Sequence, residues 1–435
     1  MFKQMLTMIS GEKIGFISPA GFLFMHLFQG AGWILLLAMA AIGDSWGSGL
    51  SFAVIHAFGL GFLSLAVLSV LVHVLPAACH VSVGEKLSDR WQIGVVVIGA
   101  SLVVSGFGLA NFRLSLLGGL LIFISIFFYV LRVSYELFKR SKSWKMEPWL
   151  LGLMIWGSLL FFLFGISLGA FMLYHFLFPP LPLSFAFLPI VHATLMIGGW
   201  LSLIVTAVFS RTSGPTLGFT VPFRRACAAW GTMAMGILLG VIGLLAQSRF
   251  VWISAFGISI LAFLLYNGSL IPFIFRSHSV NPVPRRYLIS SVFYSVTGVS
   301  ILALFVLLKL PFSKMGLLFI FLMGWLGQFL LAHLYHLGPR LLSLLRQGPG
   351  DLTPPLALLD MRRSLLTFFL YQAGIGLSTL TLLFQKSFST ETAIWGPIVG
   401  ILAWTSLSLE IGSAWKKASG VSSSQLLVNP MVKKL

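Results

Sequence analysis

Residues 51–76 read SFAVIHAFGLGFLSLAVLSVLVHVLP and contain no Asp, Glu, Lys or Arg. A run this long and this apolar matches the ~20 residues that cross a bilayer as a helix, where no water is present to satisfy open backbone groups. Its ionisable side chains are two histidines, His56 near the start and His73 near the end. A shorter motif inside the run, Gly61-Phe62-Leu63-Ser64-Leu65 leading to Pro76, has two counterparts. Gly199-Trp200-Leu201-Ser202-Leu203 leads to Pro215, and Gly324-Trp325-Leu326-Gly327 leads to Pro339. Twelve residues beyond the three glycines stand His73, Arg211 and His336.

The rest of the chain falls into place around these segments. Candidate spans run roughly over 17–42, 51–77, 93–111, 114–137, 148–177, 184–210, 226–247, 250–275, 288–310, 315–337, 364–384 and 391–413. Each motif lies on the second helix of a group of four. The expected organisation is one all-α membrane domain, 1–435, in three four-helix units (about 1–145, 146–286 and 287–418), with a polar, Ser-rich cytoplasmic tail over 419–435. The loop 338–363 has room for a short surface helix. Charged residues are 9% of the chain and hydrophobic ones 58%, far from the balance of a water-soluble domain.

The basic residues set an orientation. With the N-terminus inside, 23 of the 28 Lys and Arg residues lie on the inner side and five on the outer, as the positive-inside rule requires. Both termini are therefore expected in the cytoplasm and the chain in the cell inner membrane. The net charge of +18 is spread over every inner loop, which speaks against nucleic acid as a partner. The first span carries a basic leader, but its apolar run is too long for a signal-peptide core. Cys79 and Cys227 read as reduced inner-side thiols, with His80 beside Cys79 as a weak soft-metal pair. No Cys-x-x-Cys-His motif is present, so no covalent c-type haem is expected.

No acid or base stands at mid-depth. Arg132, Glu136 and Glu410 fall near inner helix ends, where long side chains snorkel to water. What remains at depth is histidine, the commonest metal ligand. A b-type haem in a bundle takes two axial ligands from facing helices at matched depth. His56 and His192 meet that condition in the outer leaflet, and His73 and His336 at the inner boundary. His333 shares the face of His336. The competing reading makes His73, His333 and His336 interfacial polar residues, His175 an interface anchor beside Tyr174, and His26 a hydrogen-bonded structural residue near Gln29. His278 lies in an inner loop.

The pattern resembles subunit I of the haem–copper oxidases, and more closely the uncharacterised membrane proteins related to it; a nitric-oxide-responsive haem and copper membrane family is a further relative. The likeness is specific in three stretches: His56 through Pro76, His192 through Trp200, and Gly324 through Pro339 with His333 and His336. It implies a twelve-helix bundle of three four-helix arcs. It also implies a haem ligand at His56 and a copper ligand at His192. The departures are as specific. The seventh expected span, residues 226–247, lacks the family's paired histidines. The outer part of the tenth helix, Met315 to Trp325, lacks its His-x-His, and Met196 stands where many members have tyrosine. Met323 lies at a depth suited to a thioether ligand opposite His56.

The expectation is a haem-binding membrane protein of respiratory or nitrogen-oxide redox metabolism, active in electron transport or gas sensing. Haem b is the expected cofactor and copper the alternative. Its expected partners are the lipid bilayer and other respiratory membrane subunits or a cytochrome. It is not expected to be a complete terminal oxidase. A twelve-helix transporter or permease and a cofactor-free scaffold subunit are the competing functions.

Overall fold

The computed structural model describes residues 17–44, 47–81, 87–139, 146–178, 187–217, 221–276, 282–308, 310, 312–347, 358–385 and 387–420. Among them every regular element is helical. Twelve helices are long and apolar enough to cross a membrane: α1 (Gly21–Ala41), α2 (Gly49–Cys79), α3 (Trp91–Gly108), α4 (Phe112–Lys139), α5 (Met146–Leu177), α6 (Leu188–Ser213), α7 (Phe223–Leu245), α8 (Arg249–Phe275), α9 (Pro282–Val306), α10 (Lys314–Pro339), α11 (Met361–Leu383) and α12 (Thr390–Ala418). They coincide with the twelve expected spans. The chain is a multi-pass, all-α membrane protein.

Caps mark where several helices begin. The Ser48 hydroxyl accepts the Ser51 amide at the head of α2, and the Asp360 carboxylate accepts the amides of Arg362 and Arg363 at the head of α11. Each satisfies donors that the first turn leaves open. At the far end of α2, His80 adopts a left-handed conformation (φ 52°) and closes the helix on the Pro76 carbonyl. Cys79 is buried while His80 is exposed, so the two turn to different surroundings. The α10 helix continues through Pro339 as far as Gln347. Much of the expected 338–363 loop is therefore helical extension, and 348–357, the place for a surface helix, lies outside the described residues. So do His278, the basic loop 140–145, and the tail from 421 onward.

Helices adjacent in sequence pack side by side, and the file closes on itself where α12 meets α1. That closure is made by two reciprocal fits. The Trp33 ring of α1 lies against Gly400 of α12, and the Trp404 ring of α12 lies against Gly30 of α1. Trp404 Nε1 also donates to the His26 carbonyl at 2.8 Å. Burial separates centre from rim: 78% of the apolar core of α10 and 72% of that of α2 are covered, against 28% for α8 and α12. The outer faces carry bare rings such as Phe128, Phe250 and Phe293, a surface suited to acyl chains and not to water.

The motif helices α2, α6 and α10 share a feature that spacing alone did not announce. Each widens into a π-helix at the same register: Ala57–Ser64, Thr194–Ser202 and Ile320–Gly327. The motif glycines sit inside these segments, each facing an aromatic ring from the helix before it. Phe28 covers Gly61, Phe161 covers Gly199, and Tyr294 covers Gly324; a Cβ on any of them would come within 2.8 Å of ring carbon. The glycines are there because the rings need the space. The Ser64 hydroxyl reaches the Gly59 carbonyl five residues back, a bond the wider π turn permits. π segments interrupt membrane helices mostly at functional places.

Candidate functional site

His56 ends the first α-helical stretch of α2, directly before its π segment, and His192 stands near the start of α6, two residues before its own. Eight residues further in, the two helices are tied by the Trp200 Nε1 bond to the Ser64 hydroxyl at 3.0 Å. Since both histidines precede that tie by the same number of residues, they lie at one depth. Their ring centres are 6.3 Å apart with planes inclined by 26°.

Each ring is held by its Nδ1. His56 Nδ1 donates to the Phe52 carbonyl at 2.7 Å, one turn back on its own helix. His192 Nδ1 donates to the Gly165 carbonyl of α5 at 2.8 Å. A carbonyl only accepts, so each Nδ1 carries the proton and each Nε2 keeps its lone pair. Neither Nε2 makes a hydrogen bond among the described residues. Packing fixes the rings further. Phe107 of α3 stacks on His56 with centres 4.9 Å apart. On α5, the bare Cα of Gly169 leaves room for His192, whose Cε1 lies 3.0 Å from where a side chain would begin. Backbone-held Nδ1 and unclaimed Nε2 is the tautomer and posture of a metal-binding imidazole.

The other candidates are placed differently. His333 is buried with both nitrogens engaged, Nδ1 on the Phe329 carbonyl at 2.9 Å and Nε2 on the Thr212 hydroxyl at 3.0 Å. It ties α10 to α6 and has no lone pair to offer. His73 and His336 are both half-buried, and no hydrogen bond or ring contact joins them among the described residues. His26 bonds the Ser408 hydroxyl of α12 at 2.7 Å and stacks on Trp404, with Gln29 of its own helix also beside it. Met323 is fully buried, with its sulfur near Gly327 on its own helix.

Glu410 departs from the snorkelling expectation. It is 2% exposed. Its carboxylate accepts the Tyr335 hydroxyl at 2.8 Å and the Ser364 hydroxyl. Sequence depth placed it near water, but its face of α12 turns inward against α10 and α11. By contrast Arg211 is near the surface, paired with Glu147 at 3.1 Å and lying over the Phe223 ring.

Among the described residues no three His, Cys, Asp or Glu side chains gather into one group. The His56–His192 pair therefore supplies two protein donors, too few for a closed four-ligand metal site. No protein-family model matches the chain, and no curated protein matches it in sequence.

Proposed function

We propose that the protein is a haem-carrying membrane protein that passes electrons or senses a gas in respiratory or nitrogen-oxide metabolism, with His56 and His192 as the residues that would hold one b-type haem. The observation that carries this reading is the posture of the pair: two rings at one depth, both Nδ1 atoms held by carbonyls, both Nε2 atoms unclaimed. With ring centres 6.3 Å apart, the two imidazoles are close enough that both would hold one metal ion. Two protein donors are too few for a bare ion in a closed site and would suit an iron already held in a haem, which favours haem over bare copper. When bound, a haem with two imidazole ligands takes up and gives back one electron.

The chain's own residues do the rest. The Phe52 and Gly165 carbonyls keep each imidazole neutral at Nε2 and raise its basicity as a ligand. Phe107 excludes water from one face of His56. The resemblance to oxidase subunit I supports the same assignment of His56, while the missing histidines on α7 and in the outer part of α10 argue against oxygen reduction at a haem–copper centre. The 23-to-5 distribution of basic residues supports cytoplasmic termini and a place in the inner membrane.

The test is the absorption spectrum of the purified protein, reduced against oxidised, with haem extraction. A reducible b-type spectrum at one haem per chain is expected. A colourless protein would favour a permease or a cofactor-free scaffold, and copper without haem would replace the ligand while keeping the pair.

A further inference from the structure

The histidine pair leaves the α9–α12 side of the bundle, with α1, unused, and that side holds the only buried acid among the described residues, Glu410. Among the described residues no cation forms an ion pair with it. Its two bonds come from hydroxyls on different helices, Tyr335 of α10 and Ser364 of α11. Ser364 has a second acceptor, the Asp360 carbonyl at 3.0 Å, at the exposed head of α11. The Tyr287 ring of α9 stacks on Tyr335 with centres 5.4 Å apart. The titratable or charged groups that face Glu410 are Tyr287 from α9, Tyr335 from α10, and Asp360 and Arg363 from α11; Tyr371 of α11 faces Tyr287 in turn. From α1, His26 binds Ser408 two residues away on α12.

Further along the same helices, unpartnered polar atoms continue at successive depths. In the middle stand the Tyr371 hydroxyl, both amide atoms of Gln29, and Nε2 of Gln328, whose Oε1 accepts from Gln372 at 2.8 Å. Beyond them come Trp33 Nε1 and the Ser378 hydroxyl. Ser378 then lines an outer cleft between α1, α11 and α12, which Asp44, Thr381 and Gln385 also wall. Buried polar atoms left unmet are costly, and native proteins fill such places with ordered water. One orphan is an accident of packing; a file running from an inner carboxyl to an outer polar cleft is a path.

We infer that this file is a water-filled seam and that Glu410 is its proton-binding carboxyl. As a carboxylate, Glu410 accepts from both hydroxyls. On protonation, one of its oxygens becomes a donor, and Ser364 keeps its bond by giving its hydrogen to the Asp360 carbonyl. The proton comes from water at the head of α11 and leaves to water on either side of Tyr335. No oxidant or reductant is involved, and the site stands apart from the histidine pair.

Infrared difference spectroscopy of the protein in nanodiscs, with ¹³C-labelled glutamate, tests this. The expected result is a glutamic-acid C=O band whose intensity changes between acidic and alkaline buffer and which shifts in D₂O. It disappears in Glu410→Gln and moves in Tyr335→Phe. If Glu410→Gln does not fold, the labelled wild type and Tyr335→Phe decide alone. The band persists in His56→Ala and His192→Ala, so failure of the haem reading leaves it in place. A wild-type protein without such a band, or with one that ignores both buffer pH and D₂O, overturns the proposal.

Discussion

At His192 the decisive contact comes from another helix. The carbonyl that orients its ring belongs to Gly165 on α5, and Gly169, one turn on, is bare where the ring lies. Replacing Gly169 with leucine would drive the ring off its carbonyl; one-to-one haem loading is expected to fall severalfold, read as the haem-to-protein absorbance ratio. His333 shows the opposite case, with both nitrogens spent inside the protein. His333→Gln should leave haem content unchanged while lowering thermal stability by about 1–3 kcal/mol, because the Thr212 hydroxyl loses its buried partner. Sequence set His192 in the outer pair and His333 beside His336 at the inner boundary, but gave no contacts for either ring. Depth was legible from counting residues along α2 and α6, but tautomer and orientation depend on α5, which no local pattern connects to α6. Asp360 gives a pH-dependent counterpart. The Arg363 backbone amide, then that of Arg362, with the Arg363 charge, holds its carboxyl below the usual carboxylate range. A lowered carboxyl stabilises the fold above its unfolded value, and that contribution is lost as pH falls through the folded value. Protection of the first-turn amides of α11, taken relative to intrinsic exchange at each pH, should therefore fall at acidic pH, and Asp360→Ala should show low protection at every pH.

In α2, α6 and α10 the repeated glycines were visible as spacing, and the fold gives the spacing a cause. Gly61, Gly199 and Gly324 each lie under an aromatic ring of the preceding helix, inside a π-helical segment. An added methyl group there meets the base of a ring and not a flexible tip. Gly61→Ala, Gly199→Ala and Gly324→Ala should each destabilise by about 1–3 kcal/mol, the usual range for overpacking, measured by thermal unfolding in one detergent. Gly257, with nothing near its Cα, is the control and should be close to neutral as alanine. The helix spans themselves were legible because composition and length leave few alternatives in a membrane. The π segments were not, since an added residue per turn leaves hydrophobicity unchanged. Glu410 was misjudged for a related reason: position along a helix gives depth, whereas the direction a side chain faces is set by neighbours far away in sequence.

Across the molecule, α1 and α12 close the bundle through Trp33 on Gly400 and Trp404 on Gly30, and α2, α6 and α10 meet inside it. The proposed haem sits between α2 and α6, and the proposed proton seam runs along α1 and α10–α12, so the two are served by different walls of one ring. The orientation assigned to the ring is open to a direct check. A reporter active only in the cytoplasm should score inside when fused in the loop around Lys139–Lys145 and outside in the loop Phe178–Leu183; reversal at both sites would invert the assignment. The account as a whole turns on the paired imidazoles. The most direct measurement compares the haem spectrum and metal content of His56→Ala and His192→Ala with those of His73→Ala, His333→Ala and His336→Ala, all purified alike. Loss of the reducible b-type spectrum from the first two alone is the predicted result; its survival in both, or its loss only from the inner three, would contradict the account.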